Sequence, residues 1–136
     1  MLCIISLNCL QKEAKLEGKP FTSDEELTDT LENAFDGDIS TEFTLPIKDG
    51  WVGLELSSPS KITKIGFAHS STEPKDYLLG VFQGANDKTF FDAFPLYMIT
   101  EELEPKELHL IPISCSQTFK YVRYVAPGVK SVNVSE

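Results

Sequence analysis

The chain has 136 residues, 41% of them hydrophobic and 24% charged, a balance that fits one globular domain with a modest core and excludes the disordered and fibrous classes. A formal net charge of −9 repels phosphate backbones and anionic headgroups, so nucleic acid is excluded as a partner and membrane lipid is disfavoured. Neutral ligands and cations fit better.

The opening run, MLCIISLNCL, is too short to span a bilayer and lacks the basic residues that precede the apolar core of a secretory leader. Residues 1–17 are therefore either an N-terminal extension, such as the remnant of a clipped leader, or a first strand. The segment TSDEELTDTLENAF predicts a turn or two of helix, because Ser23 and Glu26 have capping-box spacing and Leu27 and Leu31 are four apart. In NAFDGDISTEF, which follows, Asp36 and Asp38 flank Gly37 and the Ser40 and Thr41 hydroxyls stand just behind. Such a tight, oxygen-rich turn suits a hard cation such as calcium. The alternative is an Asx-type turn whose two carboxylates bond only to backbone amides. An EF-hand is excluded by counting: its sixth position holds Thr41 where glycine is needed, and its twelfth holds Ile47 where a bidentate glutamate is needed.

From Trp51 onward short apolar runs alternate with turn residues, the pattern of an all-β sandwich or barrel. Val52, Leu54 and Leu56 share one face of WVGLELS, and Ile65, Phe67 and His69 share one face of KITKIGFAH. LLGVFQGAN is apolar enough at Leu78, Leu79, Val81 and Phe82 to be buried, and FPLYMIT, ELHLIPIS, TFKYVRYVA and SVNVSE complete the predicted strands. Turns are expected at Ser57 to Ser60, Ser70 to Asp76, Gly84 to Lys88 and Pro127 to Gly128. Trp51, at a strand start after Asp49 and Gly50, reads as packing in the core or at its rim. Arg123, alternating with Tyr121 and Val125, reads as a structural arginine paired with an acidic residue.

Cys3, Cys9 and Cys115 make an odd set without C-x-x-C spacing, which excludes a zinc site and a dense disulfide framework. No nucleophile elbow, Gly-rich phosphate loop or H-E-x-x-H is present, and His69 and His109 have no nucleophile signature beside them. No catalytic residue is assigned, and the chain reads as a binding module. Asn133 to Ser135 form an N-x-S sequon, relevant only in a secreted eukaryotic setting.

The motifs NAFDGDISTEF, GWVGLELSSPSKITKIGFAH, GVFQGAND, FKYVRYVAP and NVSE occur in that order. Together they resemble the discoidin, or coagulation factor 5/8 type C, domain, whose galactose-binding-like fold is shared with family 32 carbohydrate-binding modules. The resemblance covers about residues 18–136 and implies an antiparallel eight-stranded jelly-roll β-sandwich. It also implies a structural Ca2+ held by the Asn33 carbonyl, the Asp36 side chain, the Asp38 carbonyl, Thr41, the Ser135 carbonyl and the Glu136 carboxylate. For function it implies a non-catalytic carbohydrate-binding or cell-adhesion module, extracellular or at the cell surface, that meets a carbohydrate or glycoprotein and is carried as an appended domain of a larger protein. A protein-interaction module of the same fold is the alternative. Sugar-binding members use loops at one end of the sandwich, and the candidates here are Phe43, His69, Lys75, Asp76, Phe91 and Phe119. His69 and Lys75 stand where related sequences often carry other basic residues. The family's end-to-end disulfide has no counterpart, and its last strand normally runs on beyond Glu136.

Overall fold

Every second residue from Val52 to Leu56 is buried, and that period of two, repeated along the chain, places a polar or aromatic face opposite each core face. The computed structural model describes residues 2–7, 13–22, 35, 42–45, 50–68, 78–104, 107–126 and 132–135, with backbone alone at 2–7, 13–15, 42–45 and 132–135. Among these residues there is no helix and there are eleven strands: β1 (Leu2–Leu7), β2 (Glu13–Leu16), β3 (Gly18–Thr22), β4 (Glu42–Leu45), β5 (Trp51–Lys61), β6 (Lys64–Phe67), β7 (Val81–Ala85), β8 (Phe94–Met98), β9 (His109–Pro112), β10 (Thr118–Val125) and β11 (Val132–Ser135). The expected helix falls on residues 23–34, outside those described.

A four-stranded sheet in the order β2-β1-β6-β9 faces a five-stranded sheet in the order β3-β5-β10-β7-β8, while β11 and β4 form a separate pair. All pairings are antiparallel. The fold is an all-β jelly-roll sandwich. Its two layers meet where Phe67 of β6 packs edge-on to Phe82 of β7 at 5.6 Å and lies 5.4 Å from the Tyr124 ring of β10. Val52, Leu54, Leu56, Ile62, Ile65, Phe119 and Val122 complete the core around them. Each such buried apolar side chain contributes on the order of 2 kcal/mol.

Three local expectations are corrected. Ser57 to Ser60 do not end a strand; they lie inside β5, where residues 56–59 face the single residue Lys120 across an irregularity in register. Leu79 is exposed, not buried, because it occupies a left-handed turn with φ 69° between Leu78 and Gly80. Gly84 belongs to β7, so the next turn starts only after Ala85. The strands β2, β3 and β4 escaped the alternation reading because EAKL and EFTL are short and GKPFT carries a glycine and a proline.

Two tight packings generate tests. A Cβ at Gly84 would stand 2.7 Å from Cγ of Phe119, so Gly84→Ala is expected to cost about 1–3 kcal/mol by overpacking. A wild-type midpoint in urea denaturation would refute that contact. The Tyr124 hydroxyl, packed against Gly80, is fully buried and has no hydrogen-bond partner among the described residues, and burial pushes its phenol pKa up. Removing an unsatisfied group is neutral or stabilising, so Tyr124→Phe should melt at or above the wild-type temperature.

Candidate functional site

The sandwich has two ends with different chemistry. At the upper end β6 and β10 finish and β5 and β7 begin, and Ala126 donates its amide to the Gly50 carbonyl at 3.0 Å. Ala68 and Leu78, which bound residues 69–77 in the chain, lie there, as do the end of β8 and the start of β9. At the lower end β5 finishes, β10 begins and a turn joins β7 to β8. Phe91 sits on that lower turn, 89% exposed.

The six ligand candidates are therefore not gathered into one cup. His69, Lys75 and Asp76 lie outside the described residues, on a segment that starts and ends at the upper end. Phe91 is attached to the opposite end of β7, about 13 Å of strand away. Phe43 has its backbone in β4, opposite Val134. Phe119 is corrected from a loop-borne platform to a core residue: it is 2% exposed and its ring stacks at 6.1 Å on Phe94. The cause is the irregularity between Phe119 and Tyr121, which breaks strict alternation and turns Phe119 inward while Tyr121 stays outward.

The metal candidates are met only through the backbone. Asn33, Asp36, Asp38, Thr41 and Glu136 lie outside the described residues. β11 pairs with β4 so that Ser135 stands opposite Glu42, the residue that follows Thr41 in the chain. Chain positions nearly a hundred residues apart in sequence are thereby brought side by side. Among the described residues no group of three or more His, Cys, Asp or Glu is arranged to hold a metal ion.

On the outer face of the five-stranded sheet the turn after β7 folds back over an aromatic cluster. Phe90, 5% exposed and in the left-handed region at φ 59°, lies 6.2 Å from Phe21, 5.7 Å from Trp51 and 6.3 Å from Tyr121. The Arg123 guanidinium sits beneath it, 4.1 Å from the Phe90 ring centre and 5.1 Å from that of Trp51. Gly53 leaves the room: a Cβ there would stand 3.1 Å from Cβ of Arg123 and 3.2 Å from the Phe21 ring. Arg123 is structural, as expected, yet its partner is the Gln83 side-chain oxygen, which accepts from Nε at 2.8 Å. Burial lowers its pKa, and the rings take the place of the expected carboxylate. Trp51 packs, but against Phe21, Phe90 and Arg123 on the outer face and not in the core or at its rim as expected.

The turn itself is closed by carboxylates. Asp92 accepts from the Asn86 amide at 3.0 Å and the Asp87 amide at 3.1 Å. Asp87 accepts from the Thr89 amide at 2.8 Å and the Thr89 hydroxyl at 2.6 Å. Asn86 ties the turn to β10 by donating to the Thr118 carbonyl and accepting from the Lys120 amide, both at 3.0 Å. Alternation in GVFQGAND gave no sign of this device, although the D-x-T spacing is a readable Asx signal.

A scan against protein-family models finds no match, and neither does a search of curated proteins. The solved structures do. A pectin-binding carbohydrate-binding module superposes with a TM-score of 0.68 at 20% identity, covering 89% of this chain and 88% of its own. Truncated AlyQ, which carries CBM32 and alginate lyase domains, superposes at 0.68 and 16% identity over 89% of this chain and 31% of that one. Such likenesses establish the fold: the chain is a β-sandwich of the type used by carbohydrate-binding modules. The CBM62 of Clostridium thermocellum Xyl5A is 32% identical, with a TM-score of 0.81, over 90% of this chain and 93% of that one. The chain belongs to carbohydrate-binding module family 62.

The Thr89 hydrogen bonds hold the Asp87 carboxyl below its ordinary pKa of 3.8. A carboxyl depressed in the folded state stabilises above its unfolded pKa, and that stability is lost as pH falls through the folded value. The melting temperature should therefore drop as pH falls below about 3.8, and Asp87→Ala should flatten part of that acid limb while lowering the plateau at neutral pH. An acid limb identical in the variant would remove the turn from this account.

Proposed function

We propose that the chain is a non-catalytic, calcium-stabilised carbohydrate-binding module of discoidin type, carried as an appended domain and working outside the cell or at its surface. The observation that carries the reading is the 32% identity to the Clostridium thermocellum module over nine tenths of both chains. An appended domain raises the effective concentration of whatever it is tethered to at its glycan, and AlyQ joins a module of similar fold to alginate lyase domains.

Calcium would be held by Asn33, Asp36, Asp38, Thr41, Ser135 and Glu136. The support is the β4–β11 register, with Ser135 opposite Glu42, together with the oxygen-only chemistry of the set. When bound, the ion would supply electrostatic cross-linking between early and late parts of the chain. The Ser135 backbone and the Asp36 turn would do the holding, and no reaction is involved. The neighbouring loops of the upper end, with His69, Lys75 and Asp76, would bond sugar hydroxyls.

A protein-interaction module is the second reading. It is favoured by the exposed large hydrophobics, Leu79, Phe91, Phe94, Met98, Leu108 and Leu110, all of which lie on or beside the edge strands β8 and β9 or the turns leading to them.

A glycan array in calcium and in chelator separates the two. The carbohydrate reading expects reproducible binding to galactose-type or related glycans. Folded protein that captures no glycan would shift the function to protein contacts. In the same samples, calcium at a hundred times its Kd should stabilise the fold by about 2.7 kcal/mol, a shift of several degrees. An unchanged melting temperature in chelator would strike the calcium site out.

A further inference from the structure

The lower end carries a feature that the upper-end site does not use. An open cleft of about 430 Å³ is lined by Lys61, Thr63, Ile113, Ser114, Cys115 and Ser116, a size within the range of small-molecule sites. The Ile113 amide donates to the Thr63 carbonyl at 2.8 Å, so the two walls are tied by backbone. Its floor leans on the core through Ile113 and Cys115. Lys61 makes no ion pair or side-chain hydrogen bond among the described residues, and neither do the Ser114 and Ser116 hydroxyls.

The exposed Phe91 ring is carried by the turn that leaves β7 at the same end. Lys61 is paired with Thr118, and Asn86, at the start of the Phe91 turn, bonds the Thr118 carbonyl from the other side. Cleft and turn thus flank the first residues of β10, about 10 Å apart by two strand spacings. Phe91 is held out by a turn whose polar groups are bonded within it and whose neighbour Phe90 is anchored over the outer sheet face against Arg123. A ring displayed by a rigid turn loses little conformational freedom when it is covered.

Charge at this end runs against the charge of the chain. Lys61 ends β5 and Lys64 starts β6 at this end, and Lys120 donates from Nζ to the Ser57 carbonyl at 3.2 Å, while the net charge is −9. The carboxylates nearby are Asp87 and Asp92, whose oxygens accept turn hydrogens, and Glu17 at the β2–β3 corner.

We propose that the lower end is a second carbohydrate subsite, for a uronate-bearing polysaccharide: Lys61 pairs a sugar carboxylate, Ser114 and Ser116 bond its hydroxyls, and Phe91 covers the apolar face of a neighbouring ring. The proposal rests on the carbohydrate-binding reading and adds a place and a ligand chemistry to it. A charge-assisted hydrogen bond and a covered phenyl ring are each worth roughly tenfold in affinity.

The test is calorimetric titration of the whole chain with an oligogalacturonate and, separately, with a neutral galacto-oligosaccharide, using wild type, Phe91→Ala and Lys61→Gln, with melting curves to confirm folding. Oligogalacturonate should bind wild type, weaken about tenfold in each variant and weaken further with added salt, while the neutral sugar binds all three alike. Neutral binding without uronate binding overturns this subsite and leaves the upper-end reading standing. Uronate binding indifferent to both variants also overturns it, and binding of neither sugar overturns both readings.

Discussion

The register of β10 is the constraint on which the rest of the structure depends. This strand pairs with β5 on one side and β7 on the other, so its alternation sets two surfaces at once. Val122 and Tyr124 face the core, while Tyr121 and Arg123 face outward into the aromatic cluster. A slip of one residue would drive the guanidinium inward and the Tyr124 ring out. No buried partner for that charge is present in an apolar core, which makes the slip far costlier than the loss of a few contacts. The irregularity at Lys120 protects this arrangement, absorbing the extra residues of β5 without disturbing Val122 or Tyr124.

The outer face follows from the same register. Phe21, Gly53, Arg123 and Gln83 lie in one row across four strands, and the missing side chain at Gly53 lets Phe21 and Arg123 close over it. Phe90 then caps the row, so an arginine is covered on a sheet face that would otherwise meet water. The turn that delivers Phe90 gains its rigidity from this anchor as much as from Asp87 and Asp92. Phe91, the next residue, inherits that rigidity although it touches little itself.

The core was legible in the sequence where a strand is buried on one face and long enough to show its period, as at Val52, Leu54, Leu56, Ile65 and Phe67. Strands of four or five residues, such as β2 and β4, offer too few alternations to be read. Phe119 was misread because a bulge shifts parity without changing composition, and Leu79 because a left-handed turn exposes an apolar residue that sequence counts as core. Arg123 was legible as structural, but the chain does not advertise that the rings of Trp51 and Phe90 would stand in for an acid. For the site, the D-G-D turn and the terminal N-V-S-E pointed to each other only through the resemblance, and the pairing of β11 with β4 sets Ser135 opposite Glu42. The lower cleft had no signal at all, because its walls come from the end of β5, Thr63 and the loop before β10, none of which forms a motif.

The two ends of the sandwich answer different chemical demands because the connections differ in charge. Glu101, Glu102, Glu104 and Glu107 lie on the upper connection between β8 and β9, so the upper end attracts cations and tolerates neutral hydroxyls but repels a carboxylate-bearing chain. The lower end has Lys61 and Lys64 at strand termini, and its acids Asp87 and Asp92 accept hydrogens within a turn. Strands of four to eight residues hold the ends apart by more than a Debye length at physiological salt, so neither field cancels the other. A polyanion approaching this acidic chain therefore meets less repulsion at the end where β10 begins than at the end where β10 finishes, beside the carboxylates of the β8–β9 connection.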